Sequence, residues 1–321
     1  MGDVLDLRQF RAAQLDAVLQ AEAQEWLREL LWDYGPSIQL IRQYIDGKIL
    51  PGYVLAADGT LPGLGGVGGY GFFVYEAHKG LLGDLFVHPD FRRPRHAEER
   101  RILMHLLETL QNTPGLRRVE AQLMAYRPGE LTPVFVDQGF EVHRRLFLHL
   151  PLDGEAAAPA YPAPADSVIE PWPGTAVDEA ARLINRAYAS HIDATINDQY
   201  RSFSGSARFI NNVVHYPGCG LFDEQASFVA RAPKTGTLRG LIMTSKVRPD
   251  VGHITQVCVD PSLQSAGLGR ALIEHTAARL RQTGCSAITL TVTAANHRAL
   301  HLYRQLHFQT LREFDAHVWT R

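Results

Sequence analysis

Apolar and polar positions along this chain recur with two periods, and the switches between them mark its elements. His253-Ile254-Thr255-Gln256-Val257-Cys258-Val259 is half apolar and β-branched, the pattern of a strand. From Arg270 to Arg281 the residues Leu272, Ile273, Thr276, Ala277 and Leu280 share one helical face. Gly284 suits the helix C-terminus. Ile288, Leu290 and Val292 then alternate with Thr289, Thr291 and Thr293 as a second strand. Asn296 is placed to cap a short helix whose inner face is Ala299, Leu302, Tyr303 and Leu306, at spacing i, i+3, i+4, i+7.

The same order of elements occurs earlier in the chain. Short opening strands at Val4 to Arg8 and Val168 to Pro171 lead into helices. Hairpins follow at Tyr53 to Ala57 with Tyr70 to Tyr75, and at Ser227 to Arg231 with Leu238 to Lys246. Strands ending Val87-His88-Pro89 and Val259-Asp260-Pro261 precede a long helix, a strand and a short helix in each case. Matching points lie 168 to 172 residues apart, as Phe135 does from Tyr303 and Pro89 from Pro261. This spacing indicates an internal duplication. Pro151 to Asp166, rich in Ala and Pro without periodicity, reads as a semi-rigid linker. The expected domains are residues 1–150, a linker at 151–166 and residues 167–321. Gly63 to Gly69 imitates a dinucleotide fingerprint, but a strand follows where a nucleotide site needs a helix, so the segment reads as a hairpin loop.

Composition narrows the class. A chain of 321 residues suits two domains, and 45% hydrophobic with 21% charged residues describes an ordinary globular protein. A formal net charge of −2 argues against a nucleic-acid partner. Three cysteines, without metal spacing, read as reduced thiols. Neither a signal peptide at the start nor a long apolar run for a membrane is expected, so the reading is cytoplasmic, without metal, nucleic acid or membrane.

Between the first strand and the helix lies Gln264-Ser265-Ala266-Gly267-Leu268-Gly269. A strand, a glycine-bearing turn and a helix N-terminus form an anion site, because amides there point outward unpaired and the helix dipole favours negative charge. The ordered set Val257-Cys258-Val259, Asp260-Pro261, Gln264-x-x-Gly267-x-Gly269 and Asn296-x-x-Ala299-x-x-x-Tyr303, then Leu306-His307-Phe308, resembles the GNAT superfamily of acyl-CoA-dependent N-acetyltransferases. The resemblance implies an α/β (α+β) fold class: two tandem GNAT-like domains, each a mixed, mostly antiparallel central sheet flanked by helices.

It also implies roles. Gln264, Ser265, Ala266, Gly267, Leu268, Gly269 and Arg270 would cradle the diphosphate of acetyl-CoA, the co-substrate. Val257, Cys258 and Val259 would present backbone groups to the pantetheine and polarise the thioester carbonyl, and Asn296 is counted with the cofactor-binding residues. Tyr303 would be the general acid that protonates the departing thiolate. His253 stands where some GNAT subfamilies carry a basic glutamate, eleven residues before the loop. With a reference pKa near ~6.5 an imidazole there could accept the amine's proton; the bland alternative is an exposed strand histidine. His307 replaces the glycine usual before Phe308, at a site that often needs positive φ.

The expected acceptor is a primary amine, a small molecule rather than a protein, attacked directly in a ternary complex. A non-catalytic acyl-CoA sensor is the rival reading. Acceptor selection is expected within Asn185 to Phe222, where Asp193 or Asp198 could hold a cation, although solvated loop residues are the default. In the first half the turn reads Pro89-Asp90-Phe91-Arg92-Arg93-Pro94-Arg95-His96-Ala97, with no glycine and with Pro94 removing an amide donor. Phe135 stands for Tyr303 and Leu81 for His253. That half reads as a scaffold, unless Arg92, Arg93 and Arg95 hold phosphates by side chains.

Overall fold

The computed structural model describes residues 2–56, 66–152 and 161–321. Half of the Ala/Pro linker (153–160) and Gly63 to Gly65 lie outside these residues. The chain divides into two compact units, residues 1–145 with 312–321, and residues 146–311.

The first unit contains β1 (Val4–Asp6), α1 (Asp16–Leu30), α2 (Gly35–Asp46), β2 (Gly52–Ala56), β3 (Val67–Glu76), β4 (Lys79–Val87), α3 (Ala97–Asn112), β5 (Arg118–Gln122) and α4 (Thr132–Asp137). Its strands run in order β1-β2-β3-β4-β5, with β4 and β5 parallel and the earlier ladders antiparallel. The sheet is closed by the chain's last strand, β13 (Gln309–Thr320). Its residues Ala316 to Thr320 pair antiparallel with Gln122 to Arg118 of β5. That ladder places residues 312–321 in the first unit, where the sequence analysis had put them in the second domain.

The second unit uses β6 (Glu141–Pro151) from Leu146 onward, then β7 (Val168–Pro171), α5 (Val177–Tyr188), α6 (Asp193–Ile196), α7 (Phe203–His215), β8 (Leu221–Phe222), β9 (Phe228–Arg231), β10 (Leu238–Arg248), β11 (Val251–Val259), α8 (Leu268–Gln282), β12 (Ala287–Thr293) and α9 (His297–Gln305). The strand order is β6-β12-β11-β10-β9-β7, with β8 beside β10. β11 and β12 are parallel, whereas β10 is antiparallel to β8, β9 and β11. Each unit is therefore a mixed, mostly antiparallel sheet with flanking helices, the expected class.

Packing repeats between the units as the sequence does. In the first, Ile102, Leu103, Leu106, Leu107 and Leu110 of α3 lie fully buried against Leu85 and Val119. In the second, Leu272, Ile273 and Leu280 of α8 pack on Ile254, Ile288 and Leu290. Gly80 and Gly252, 172 residues apart, are both overlain by a helix leucine, Leu110 and Leu280, that a Cβ would strike. A side chain at either position would push the helix off its sheet. Each fully buried leucine contributes about 1.5–3 kcal/mol of transfer free energy, so losing that contact is costly. The opposite face of the second sheet is covered by α5 and α7 through Ala181, Ile184, Ile210 and Val213 on Leu241 and Met243.

Candidate active site

The site begins with a parting of strands in the second unit. β11 pairs with β12 only from Val251–Ala287 to Ile254–Leu290, although both strands continue. At the same point β10 skips a residue of β11, with Met243 opposite Gln256 and Thr244 opposite Ile254, leaving Thr255 as a bulge. The Thr255 hydroxyl fastens the bulge by donating to Met243 O at 3.1 Å. A bulge adds twist and turns the strand away from its neighbour. Val257, Cys258 and Val259 thereby lose their ladder on the β12 side, which leaves a backbone edge open to an extended ligand.

After β11 the chain turns through Pro261–Leu263 into the glycine-bearing segment. Ser265 (φ 68°) and Gly267 (φ 86°) both take left-handed conformations, and α8 starts at Leu268. The first amide to find a carbonyl is Ala271 N, on Gly267 O at 3.0 Å. The preceding amides, Leu268, Gly269 and Arg270 among them, have no helical acceptor, the condition of an anion cradle. Gln264, Ser265 and Ala266 are exposed, whereas the Leu268 side chain is buried in the core and contributes only its backbone. Arg298 of α9 ties the turn across, donating to Gln264 Oε1 and to Ser265 Oγ (3.0 Å).

Tyr303 is buried on α9, which Asn296 caps by accepting from Ala299 N at 3.1 Å. Leu300 joins it on the buried face, while Ala299, Leu302 and Leu306 pack at the edge of that cluster. His307 takes φ 65° at the helix end, and Phe308 packs on the Tyr303 ring at 5.5 Å. The Tyr303 hydroxyl makes no hydrogen bond to any described residue, yet it is not among the fully enclosed polar atoms. Burial, reinforced by the Asp193 carboxylate, raises its pKa above the ordinary phenol value.

Asp193 came from the region expected to select the acceptor. Its carboxylate accepts from Thr293 Oγ1 of β12, and His191 beside it meets Asn296 Nδ2 at 3.1 Å. Among the described residues its one recorded ion-pair neighbour is the His191 ring, at 3.6 Å. Tyr188 packs edge-on to His191 and points its hydroxyl at Val257 O (3.5 Å), and Tyr200 donates to Gln256 Oε1 at 3.3 Å. Asp193, Tyr188 and Tyr200 thus converge on the parting strands, whereas Arg208, His215 and Tyr216 are exposed elsewhere on α7 and the segment after it. Burial pushes the Cys258 thiol up to about 12, so it stays protonated and is no nucleophile.

His253 is not an exposed strand histidine. It is buried, stacked on Phe147 at 5.7 Å, with Nδ1 2.9 Å from Thr289 Oγ1. Thr289 donates onward to Gly252 O (3.4 Å), which leaves its oxygen to accept from Nδ1–H. Desolvation pulls the imidazole pKa down to about 3.

The first unit keeps the frame and fills the openings. β4 parts from β5 after Leu82–Ala121, and Gly83 is skipped in the β3 ladder as Thr255 is in β10. The turn before α3 holds Arg95 (φ 59°) and His96 (φ 54°) in left-handed conformations, and two carboxylates occupy the first helical turn. Glu98 pairs with Arg101 (2.6 Å), and the fully buried Glu99 lies 3.4 Å from His96 Nδ1. Acidic groups there complement the helix dipole and repel a phosphate. Arg92 is spent on Glu25 (2.7 Å) and on Val87 O (3.0 Å). Phe135 stacks on the buried His317 at 3.7 Å, where a hydroxyl would otherwise emerge.

Sequence reasoning missed one buried network in this unit. Tyr70 donates to Glu22 (2.6 Å), Tyr34 to Asp84 (2.7 Å), and Leu85 N to Asp84 (2.8 Å). Desolvation and the neighbouring Asp84 hold the Glu22 carboxyl well above its usual range. Asp84 in the apolar run Leu81-Leu82-Gly83-Asp84-Leu85-Phe86 was the available signal.

Two parted parallel strands, a bulge, an open helix N-terminus and a buried tyrosine are the frame of the GNAT acetyltransferases, and the chain belongs to that family. The Acetyltransferase (GNAT) family model matches residues 192–308. The chain is 30% identical over 237 residues to the mycothiol acetyltransferase of Thermomonospora curvata, covering 71% of this chain and 70% of that protein. Among solved structures, a GCN5-related N-acetyltransferase from Sphaerobacter thermophilus superposes with TM-score 0.66 at 16% identity, over 99% of this chain and 95% of that one. A tandem GNAT protein from the clavulanic acid biosynthesis pathway gives TM-score 0.61 at 15% identity, over 100% and 98%. These two show the tandem fold alone. The protein is an acetyltransferase of tandem GNAT layout. Among the described residues no helix is long and apolar enough to cross a membrane, and no group of three metal-ligating side chains occurs.

Proposed function

We propose that the second unit transfers an acetyl or other short acyl group from its CoA thioester to a primary amine, by direct attack in a ternary complex. The observation that carries this is the Tyr303 hydroxyl, set in a core yet without a hydrogen-bond partner beside the parted strands. A buried phenol normally finds a partner, so an unbonded one suits a group that meets its partner in the reaction. The amides from Ser265 to Arg270 suit the diphosphate, and the open edge at Val257 to Val259 suits the pantetheine amides and the thioester oxygen.

The neutral amine nitrogen adds to the thioester carbon, the C–S bond breaks, Tyr303 supplies the proton that the thiolate takes up, and the proton shed by the new amide nitrogen returns through water to the tyrosinate. Burial keeps Tyr303 protonated in the resting site, so it is in the donor form when the C–S bond breaks. His253 is a weak candidate for the base, in contrast to the sequence expectation. An imidazole near pKa 3 facing an ammonium near ~10.4 would work uphill by about 10 kcal/mol. Asp193 takes over the electrostatic part of that role: its carboxylate, with no recorded ion-pair neighbour but His191, draws the cationic amine to the mouth, and the proton leaves through water.

Relatives of this chain are named mycothiol acetyltransferase, so an amine related to mycothiol is the first acceptor to test, ahead of protein amines. A thiol-release assay with acetyl-CoA and a panel of amines decides the class. Tyr303→Phe should lower kcat by 10²–10⁴, about the usual contribution of general acid catalysis, with CoA affinity unchanged. Unchanged turnover in that variant would remove Tyr303 from the reaction, and no release with any amine would favour the sensor reading.

A further inference from the structure

The segment that joins the two halves returns to the described structure at Tyr161, and it does so on the diphosphate turn. A Cβ built on Gly267 would lie 2.5 Å from the Tyr161 hydroxyl and 2.7 Å from its ring edge. The Tyr161 amide donates to Glu274 Oε2 at 2.7 Å, and the other oxygen of that carboxylate accepts from Arg270 Nε at 2.8 Å. The Arg270 guanidinium lies over the Tyr161 ring, 4.9 Å from its centre. Tyr161, Arg270 and Glu274 thus form a closed clasp on the first two turns of α8. Within it Glu274 uses Arg270 Nε alone, so both terminal nitrogens of the guanidinium stay outside the pair. The Tyr161 hydroxyl makes no hydrogen bond among the described residues. Gly267 is accordingly fixed by two needs, its φ of 86° and the phenol resting against it.

We propose that Tyr161 is a positioning residue for the acyl donor, its hydroxyl donating to the diphosphate held by the α8 N-terminus and its ring orienting Arg270 toward the same charge. This rests on the reading that the second unit binds a CoA thioester. The motif supplies only backbone amides for the diphosphate; the clasp adds a neutral donor and a preorganised cation from outside it. A guanidinium stacked on an aromatic face and fixed through Nε keeps its outer edge for a second anion. Tyr161 is then part of the donor site, and a chain that starts after residue 161 would lack it.

Calorimetric titration of the full-length protein tests this without an acceptor, using CoA, dephospho-CoA and pantetheine. Tyr161→Phe should weaken CoA and dephospho-CoA alike by about tenfold, the loss expected for one hydrogen bond to a charged group, and leave pantetheine unchanged. Tyr161→Ala, which also frees Arg270, should weaken both further. Equal affinities in wild type and Tyr161→Phe would overturn the proposal while leaving the functional reading intact. A loss confined to CoA would assign the phenol to the 3′-phosphate and overturn it as stated. Parallel loss of pantetheine would mark Tyr161 as a packing residue only. A wild-type protein that binds none of the three would overturn both the proposal and the reading beneath it.

Discussion

The buried His253 sets an acid limit on the second unit whose size follows from its surroundings. In the unfolded chain its imidazole titrates near ~6.5; in the fold desolvation depresses it to about 3. A depressed histidine means that the unfolded chain takes up the proton first. The stability linked to neutral His253 is therefore complete above pH 6.5 and is lost as pH falls from there toward 3. At 1.36 kcal/mol per pH unit the loss reaches about 2 kcal/mol at pH 5 and about 5 kcal/mol at pH 3. His253→Asn keeps an N–H near the position of Nδ1 for Thr289 and removes the titration. Its loss of the Phe147 stacking lowers stability by an amount that does not change with pH. Urea denaturation of both proteins between pH 5 and 7.5 isolates the proton-linked part as a difference of differences, about 2 kcal/mol across that range. Parallel pH profiles in the two proteins would refute the burial argument. The same variant tests chemistry: it should turn over within a few-fold of wild type, and a 10²-fold or greater loss in folded protein, about what a missing general base costs, would restore His253 as the base.

Two further outcomes follow from carboxylates that the folds enclose. Glu22 is raised well above its usual range, so the stability tied to its protonated form is present below about pH 4.5 and falls as pH rises toward the native value. Glu22→Gln can still accept from Tyr70 and donate to Asp84; it should match wild type near pH 5 and exceed it increasingly toward pH 9, by about 1–3 kcal/mol, as read by thermal or urea melts. At the cleft, Asp193→Asn should raise KM for cationic amines about tenfold with CoA affinity unchanged, and steady-state kinetics at two ionic strengths should show the wild-type preference shrinking with salt. Equal KM values would place the acceptor elsewhere.

The strands and helices of the second unit were legible because each carries its own period. The alternation Ile288, Leu290, Val292 is a strand in any environment that has a core, and Asn296 caps α9 by a local bond. The turn at Gly267 was legible because a left-handed position beside a helix start restricts the residue. What local pattern cannot carry is the choice of partner. Phe314, Ala316 and Val318 announce a buried face of β13, but nothing in them says that the partner is β5 of the first unit, nearly two hundred positions away. The burial of His253 was illegible for a related reason. Its position in β11 was readable, yet whether an alternate residue faces solvent or a neighbouring ring depends on Phe147, supplied by β6. The Glu22–Asp84 pair needs two elements, α1 and β4, to meet before either carboxylate looks unusual.

The duplicated half shows how such a site is closed while its frame is kept. Removing one catalytic hydroxyl would silence chemistry, but the open amides of a helix start and the gap between parted strands would remain as unsatisfied features. In the first unit different side chains stand at both places. Glu98 and Glu99 place negative charge at the dipole end of α3, so that end is stabilised by its own sequence where α8 leaves it for a diphosphate. Phe135 fills the space of a tyrosine and stacks on His317, whose burial lowers its pKa to about 4. At the place of Gln256 stands Asp84, bonded to Tyr34 and the Leu85 amide. The replacements carry a cost of their own: both His317 ring nitrogens and Glu99 Oε2 are buried with no hydrogen-bond partner among the described residues. Phe135→Tyr alone should leave the first unit without a CoA site, because Glu98 and Glu99 still place negative charge at the start of α3; calorimetric binding of a second CoA per chain in that variant would refute this.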